Sequence, residues 1–128
     1  MAQPLSGPSR STLVVVVDED IAVRNSLKFL LELEGVAVAT CSNATELMEL
    51  PELTWADVIV MEHKPPKSDP FEAMRVMRLR RIDIPLILVA ASVTGPLCEK
   101  AAKAGIRHVL AKPLLEGELV GAVRETIH

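Results

Sequence analysis

The sequence predicts an α/β protein of three layers, in which helices cover both faces of a parallel β-sheet. Apolar segments of strand length alternate five times with amphipathic segments of helix length. The runs at 13–17, 58–61 and 86–90 contain no polar residue, which is typical of strands buried on both faces. With 128 residues, 49% of them hydrophobic, the chain can bury one core. We predict one domain at 13–128 after a loose tail at 1–12.

The first two strands are predicted at 13–17 and 36–39. Between them, residues 21–34 carry apolar side chains at helical spacing. Gly35 can end this helix because glycine readily adopts a positive φ. After the second strand, Asn43 can cap a short helix.

Three further strands are predicted at 58–61, 86–90 and 108–111. The helices that follow them begin at sequences typical of a helix N-terminus: Asp69-Pro70 for a helix reaching about residue 81, Thr94-Gly95-Pro96 for one ended by Gly105, and Glu116 for a last helix reaching about residue 127.

Composition excludes several classes of function. The net charge of −3 gives no long-range attraction to nucleic acid, and three aromatic residues are too few for a base-stacking platform. No segment is long and apolar enough to span a bilayer, so we expect no direct contact with a membrane. Cys41 and Cys98 lie outside any C-x-x-C spacing, so we expect two reduced thiols and a cytoplasmic protein.

Charged residues follow three of the predicted strands. Asp18-Glu19 follow the first strand, Glu62 follows the third and Lys112 follows the fifth. The carboxyl ends of parallel strands meet at one edge of the sheet, where open α/β sheets bind their ligands. The sequence therefore predicts a charged crevice at this edge.

Three stretches, in order and at matching spacing, resemble the receiver domain of two-component response regulators. They are Val-Val-Val-Val-Asp18-Glu19-Asp20 with Arg24, Asp57-Val-Ile-Val-Met-Glu62 with Pro66 and Asp69, and Pro85-Leu-Ile-Leu-Val-Ala90-Ala91 followed by Lys103-Ala-Gly105 and Lys112-Pro113. The resemblance covers residues 13–128. It implies a flavodoxin-like (CheY-like) α/β/α fold with a five-stranded parallel sheet in the order 2-1-3-4-5.

The resemblance also implies roles for the residues at the strand ends. In the family, an acidic pair after strand 1 helps to hold Mg²⁺, and an aspartate ending strand 3 accepts a phosphoryl group from a histidine kinase. A hydroxyl ending strand 4 and a lysine ending strand 5 contact that group, and an aromatic residue in strand 5 relays the change. Here Asp18 and Glu19 occupy the acidic pair, Lys112 is the lysine, and the bond before Pro113 is expected to be cis.

The sequence departs from the family pattern at four positions. Glu62 stands at the phosphoacceptor position, Ala90 at the hydroxyl, Val109 at the aromatic switch, and Pro70 replaces a glycine. Glutamate places its carboxylate roughly 1.5 Å further along than aspartate, and misplacement of about 1 Å can cost a hundredfold in rate. We therefore expect an atypical pseudo-receiver that is not phosphorylated at the usual position, is not an enzyme and acts through protein–protein interaction.

Two interpretations of Glu62 stay open. Its carboxylate can mimic a phosphoryl group and hold a permanently active state, or it can pair with Lys112 and satisfy two buried charges. No cofactor is required, but the carboxylates of Asp18, Glu19 and Glu62 can bind Mg²⁺ weakly, and the resemblance adds the backbone carbonyl of Lys64 as a ligand. The alternative to that metal site is a solvated acidic rim.

The expected partner is a histidine kinase or another signalling protein. A homodimer through helix 4, strand 5 and helix 5, including Lys100, Lys103 and Glu118, is also expected. The end of the chain at His128 fits a stand-alone domain, although a piece cut from a longer regulator would look the same. Two alternatives remain: a working phosphoreceiver that uses Asp57 or Asp69, and a flavodoxin-like small-molecule binder.

Overall fold

Five parallel strands form a single sheet in the computed structural model, which describes residues 12–115 and 117–127. The strands are β1 (Leu13–Val17), β2 (Ala37–Cys41), β3 (Val58–His63), β4 (Leu86–Ala90) and β5 (His108–Ala111). Their order is β2-β1-β3-β4-β5, which confirms the predicted topology. The predicted tail lies outside the described residues except for Thr12.

Helices connect and follow the strands. They are α1 (Ile21–Leu33), α2 (Ala44–Glu49), α3 (Pro70–Leu79), α4 (Gly95–Lys103) and α5 (Glu118–Ile127). The predicted capping residues Asn43, Asp69 and Thr94 each accept a hydrogen bond from a backbone N–H in the first turn. The predicted start of the last helix, Glu116, lies outside the described residues. No helix in the described part of the chain has the length and apolar character to cross a membrane.

The core has two halves because successive strand residues face opposite sides of the sheet. In β1, Val15 and Val17 pack toward α2, α3 and α4, whereas Val14 and Val16 pack toward α1 and α5. All five residues of β1 are buried. This double burial accounts for the unbroken apolar runs of the inner strands.

Several elements differ from the prediction, and β2 spans Ala37–Cys41 rather than 36–39. A 3₁₀ helix at Pro51–Trp55 was not predicted, and α3 ends at Leu79 rather than near residue 81. β3 continues through Glu62 and His63, which pair with Val89 and Ala90 of β4. Backbone pairing, which a search for apolar residues does not detect, therefore places Glu62 inside the strand and fixes the direction of its side chain.

Candidate functional site

Three charged side chains meet at the carboxyl edge of the sheet. Asp18 follows β1, Glu62 is the last residue but one of β3, and Lys112 follows β5. The Nζ of Lys112 lies 2.6 Å from Oε2 of Glu62 and 3.8 Å from Oδ2 of Asp18. Because β4 lies between β3 and β5, the Lys112 side chain reaches across the end of β4. The structure therefore brings together three of the predicted crevice residues, without Glu19, and shows the predicted Glu62–Lys112 pair.

This group is largely shielded from water. The side chains of Asp18, Glu62 and Lys112 are 4%, 11% and 30% exposed. Burial raises the pKa of the Asp18 carboxyl, although a backbone hydrogen bond from the Asp20 N–H, at 2.9 Å, opposes this rise. The nearby charge of Glu62 raises the Asp18 pKa further, and the Lys112 ammonium lowers it. Lys112 thus supplies the positive charge shared by two buried carboxylates.

The second oxygen of Glu62 is not satisfied. Its Oε1 is buried and has no hydrogen-bond partner among the described residues. The backbone carbonyl of Glu62 accepts a hydrogen bond from the hydroxyl of Ser68, which is 2% exposed. The loop after β3 folds back through two backbone hydrogen bonds between Lys64 and Ser68. Nothing in the sequence distinguished Ser68 from an ordinary loop serine, because its burial depends on this fold-back.

Glu19 belongs to a different environment from Asp18. Its carboxylate lies 3.0 Å from Nζ of Lys64 and 3.7 Å from Nζ of Lys67. The hydrogen bond from Lys64 lowers the pKa of Glu19. The acidic pair of the sequence is therefore divided between a buried group and an exposed group.

This division bears on the predicted Mg²⁺ site. Within residues 12–115 and 117–127, no three His, Cys, Asp or Glu side chains are placed to hold a metal ion. The Lys64 carbonyl, the fourth predicted ligand, already accepts a hydrogen bond from the Ser68 N–H. The arrangement seen does not fit the predicted ligand set, because lysines neutralise Glu19 on one side and Glu62 on the other.

The side chains of Ala90 and Val109 contribute no polar atom to this group, although the Ala90 carbonyl accepts a hydrogen bond from the Lys112 backbone N–H at 2.9 Å. Ala90 ends β4, is 2% exposed and belongs to the core facing α2, α3 and α4. Val109 packs against the same core. Neither an alanine methyl group nor a valine can donate or accept a hydrogen bond.

The two other acids considered as acceptors are placed elsewhere. Asp57 precedes β3 at the opposite edge of the sheet, where its Oδ2 accepts a hydrogen bond from the Leu13 N–H at 2.8 Å. Oδ1 of Asp69 accepts hydrogen bonds from the N–H groups of Phe71 and Glu72 and caps α3. Neither carboxylate is part of the Asp18–Glu62–Lys112 group.

A cleft of about 540 Å³ opens beside the ion pair on the side of α1 and α5. Asp18, Glu62 and Lys112 line one end of it. Its other walls are mainly apolar and include Val16, Val23, Leu27, Val60, Val89 and Leu114. The cleft exists because α1 and the loop after β5 lie apart. No pattern in the sequence predicts this separation.

Comparison with known proteins identifies the class to which this fold and this site belong. The family model of the response regulator receiver domain matches residues 14–124, so the chain belongs to that family. The cis peptide bond between Lys112 and Pro113, expected from the resemblance, is present.

Relatives agree with this assignment. The chain is 29% identical over 124 residues to the C4-dicarboxylate transport transcriptional regulatory protein DctD of Pseudomonas aeruginosa, covering 97% of this chain and 27% of DctD. It is 30% identical over 114 residues to the transcriptional regulatory protein FixJ of Azorhizobium caulinodans, covering 89% of this chain and 54% of FixJ. The chain thus spans about a quarter to about a half of these relatives.

Solved structures agree as well. The crystal structure of a response regulator receiver protein from Pseudoalteromonas atlantica superposes with a TM-score of 0.78 at 26% identity. The match covers 90% of this chain and 96% of that chain.

Proposed function

We propose that this receiver domain takes part in two-component signal transduction by binding another protein, without accepting a phosphoryl group at Glu62. The observation that carries the proposal is the ion pair of 2.6 Å between Glu62 and Lys112. In the family, the lysine at this position contacts the phosphoryl group once it is present. Here the ammonium of Lys112 is already paired with a carboxylate that belongs to the protein itself.

The chemistry of transfer supports the same proposal. Phosphoryl transfer depends almost entirely on positioning and on stabilisation of charge. Glu62 extends further than the aspartate of the family would, and one of its oxygens is held by Lys112 while the other is buried. An incoming phosphoryl donor would have to break this pair and reach an oxygen that solvent does not reach.

The two neighbouring substitutions remove the response to phosphorylation as well. Ala90 has no hydroxyl group to bond a phosphoryl oxygen, and Val109 has no ring to turn inward. Because Val109 is β-branched and packed on the core, its side chain is stiff. We therefore favour the ion-pair interpretation of Glu62 over the phosphoryl mimic, since a mimic would have no relay on which to act.

The proposal extends to cofactors, partners and location. The domain requires no metal, since the Lys112 ammonium already supplies a cation beside both carboxylates, and it acts as a binding module rather than an enzyme. Its partner is a histidine kinase or another signalling protein. We place it in the cytoplasm, where its thiols would stay reduced: Cys98 is exposed and free, and burial raises the pKa of Cys41 to about 12.

The test is phosphorylation by acetyl phosphate with Mg²⁺, read by intact mass. We expect the wild-type chain to stay unmodified and the Glu62→Asp/Ala90→Thr variant to gain the mass of one phosphoryl group. The matched control is Glu62→Asn/Ala90→Thr, which has the same side-chain length and no acceptor carboxylate. A wild-type adduct that Glu62→Gln abolishes would contradict the proposal directly.

A wild-type adduct that survives Glu62→Gln would instead support the alternative of another acceptor. Asp57→Asn and Asp69→Asn would then identify the acid. Asp57 is the less suitable of the two, because it lies at the opposite edge of the sheet from Lys112.

The small-molecule alternative depends on one observation, the cleft beside the ion pair. Its volume of about 540 Å³ lies within the range of ligand pockets. The residues described along its walls include no glycine, so none forms the glycine-rich loop that cradles phosphate groups. Native mass spectrometry of the purified protein tests this alternative. A mass corresponding to the protein with a tightly bound small molecule would support it.

A further inference from the structure

The outer side of α1 is unusually apolar for a surface helix. Within the described residues, four of the eight large hydrophobic side chains that are exposed lie on α1: Ile21, Phe29, Leu30 and Leu33. Phe29 and Leu33 are each 66% exposed. None of the eight lies within the described residues of α4 or α5. Exposed apolar groups concentrated on one element mark an interaction surface.

Four positions on α1 form a line along the helix. Ala22, Ser26, Phe29 and Leu33 are separated by four, three and four residues, the spacing of a coiled-coil seam. Leu31, which projects from the other side of the helix, is buried in the core of the domain. The seam therefore faces solvent, and its side chains change from small at the N-terminal end to large at the C-terminal end.

This order of side-chain sizes makes the seam complementary to the same seam on an antiparallel second copy. The seam is symmetric about the midpoint between residues 27 and 28. An antiparallel second copy would therefore place Phe29 opposite Ser26 and Leu33 opposite Ala22, each pairing occurring twice. Large side chains opposite small ones allow two helices to approach closely and to interlock.

The apolar cleft adds a second, independent feature at the same place. Ala22 and Ser26 belong to the seam and also line the cleft, together with Val23 and Leu27. In the antiparallel arrangement, the exposed ring of Phe29 from the second copy would lie at the mouth of this cleft. The surface thus carries both an exposed aromatic group and an apolar recess, related by the same two-fold axis.

The residues that flank the seam are also compatible with a second copy. On one side, Val23 would lie near Leu30 of the other copy, which adds an apolar pair. On the other side, Asn25 would lie near Glu32 of the other copy, so that an amide N–H could donate to a carboxylate. Neither of these two flanking pairs places like charges opposite one another.

We propose that this chain forms a homodimer through antiparallel contact of its α1 helices, with Phe29 of each copy at the mouth of the cleft in the other. This inference does not depend on the phosphorylation state of the site. It assigns the interface to α1 instead of the predicted face of α4, β5 and α5. The seam is three helical turns long, so the interface is at the small end of the usual range and the dimer is concentration-dependent.

Sedimentation velocity of the full chain at increasing concentration tests the dimer. We expect a monomer–dimer equilibrium that Phe29→Asp weakens at least about tenfold, since it buries two charges at the centre of the interface. The matched control is Leu79→Asp on α3, where Leu79 is 71% exposed and distant from α1 in sequence, and we expect no change. A Lys100→Glu/Lys103→Glu variant should also dimerise normally.

Three outcomes of this experiment would overturn the proposal. They are a wild-type chain that stays monomeric at all concentrations, a dimer insensitive to Phe29→Asp, and a dimer that only the Lys100→Glu/Lys103→Glu variant disrupts. The first would indicate that another protein covers α1, and the last would support the face of α4, β5 and α5.

Disulfide trapping tests the orientation of the helices. In a Cys98→Ser background, an Ala22→Cys chain is mixed with a Leu33→Cys chain under mild oxidation. The antiparallel arrangement predicts the mixed disulfide as the main product. A parallel arrangement would give the two self-disulfides instead, and no trapping beyond that of a Trp55→Cys control would argue against contact at α1.

Discussion

Two groups of charges lie at the same edge of the sheet and differ chiefly in how far water reaches their side chains. The buried group consists of Asp18, Glu62 and Lys112, with side chains 4%, 11% and 30% exposed. The rim group consists of Glu19, Lys64 and Lys67, with side chains 31%, 59% and 73% exposed. Their ion pairs have similar lengths, 2.6 Å for Glu62–Lys112 and 3.0 Å for Glu19–Lys64.

Solvent access makes these similar contacts unequal. Removing one member of an exposed pair costs little folding stability, because water solvates the remaining charge. A buried pair leaves an uncompensated charge in a medium that solvates it poorly. The formal charges also differ, since the buried group carries −1 and the rim group +1. The negative charges of both groups raise the pKa of Lys64, that of Glu19 chiefly and those of Glu62 and Asp18 to a lesser extent. The rim group thus partly balances the buried one.

The largest expected effect is that of Lys112→Met. It removes the cation of the buried group and leaves its two carboxylates, Asp18 and Glu62, without a directly paired cation. We expect the free energy of unfolding to fall by about 3 kcal/mol, at the low end for buried pairs because Lys112 is 30% exposed. Urea denaturation measures it. Lys64→Met is the matched control in the rim group, and a loss as large as that of Lys112→Met would remove the distinction between the groups.

A smaller net effect is expected when both members of the buried pair are replaced. Glu62→Met/Lys112→Met removes the ion pair and also the buried Oε1 that has no partner. Well-packed apolar side chains often replace a buried pair with little loss, so the double variant should unfold within about 1 kcal/mol of wild type. The double-mutant cycle is completed by Glu62→Met alone. A double variant as unstable as Lys112→Met would show that packing, rather than charge, explains the first result.

The smallest expected effect is the change of folding stability with pH, and the sign of this change differs between the adjacent residues Asp18 and Glu19. Burial raises the pKa of Asp18, so the folded state holds this proton more tightly than the unfolded state. Its contribution to stability therefore falls as pH rises from the ordinary aspartate pKa of 3.8 through the raised pKa of the folded state. Lys64 lowers the pKa of Glu19, so the contribution of Glu19 to stability rises with pH through the range below the ordinary glutamate pKa of 4.5.

Two variants separate these opposite trends. The stability of Asp18→Asn relative to wild type should increase as pH rises through the Asp18 window, whereas that of Glu19→Gln should decrease through the Glu19 window. Urea denaturation at several acidic pH values measures both differences. Trends of the same sign for the two variants would contradict the assignment of Asp18 to the buried group and Glu19 to the rim.

Much of the fold was predictable because its signals are local. The caps Asn43, Asp69 and Thr94 act through hydrogen bonds within one helical turn, and their positions were predicted correctly. The apolar run of β1 reports burial on both faces. The end of β3 was not predictable in this way, because Glu62 and His63 become strand residues by pairing with β4, a contact distant in sequence.

The sequence by itself determined which chemical groups stand at the strand ends: Asp18 and Glu19, Glu62, and Lys112, with neither a hydroxyl at 90 nor a ring at 109. Only the tertiary structure decided how these groups pair. It placed Asp18 with Lys112 and Glu19 with Lys64, opened the cleft beside α1 and left the Phe29 side of α1 exposed. The physical reason is that side-chain identity is a local property, whereas burial and pairing depend on elements that meet only when the sheet is assembled.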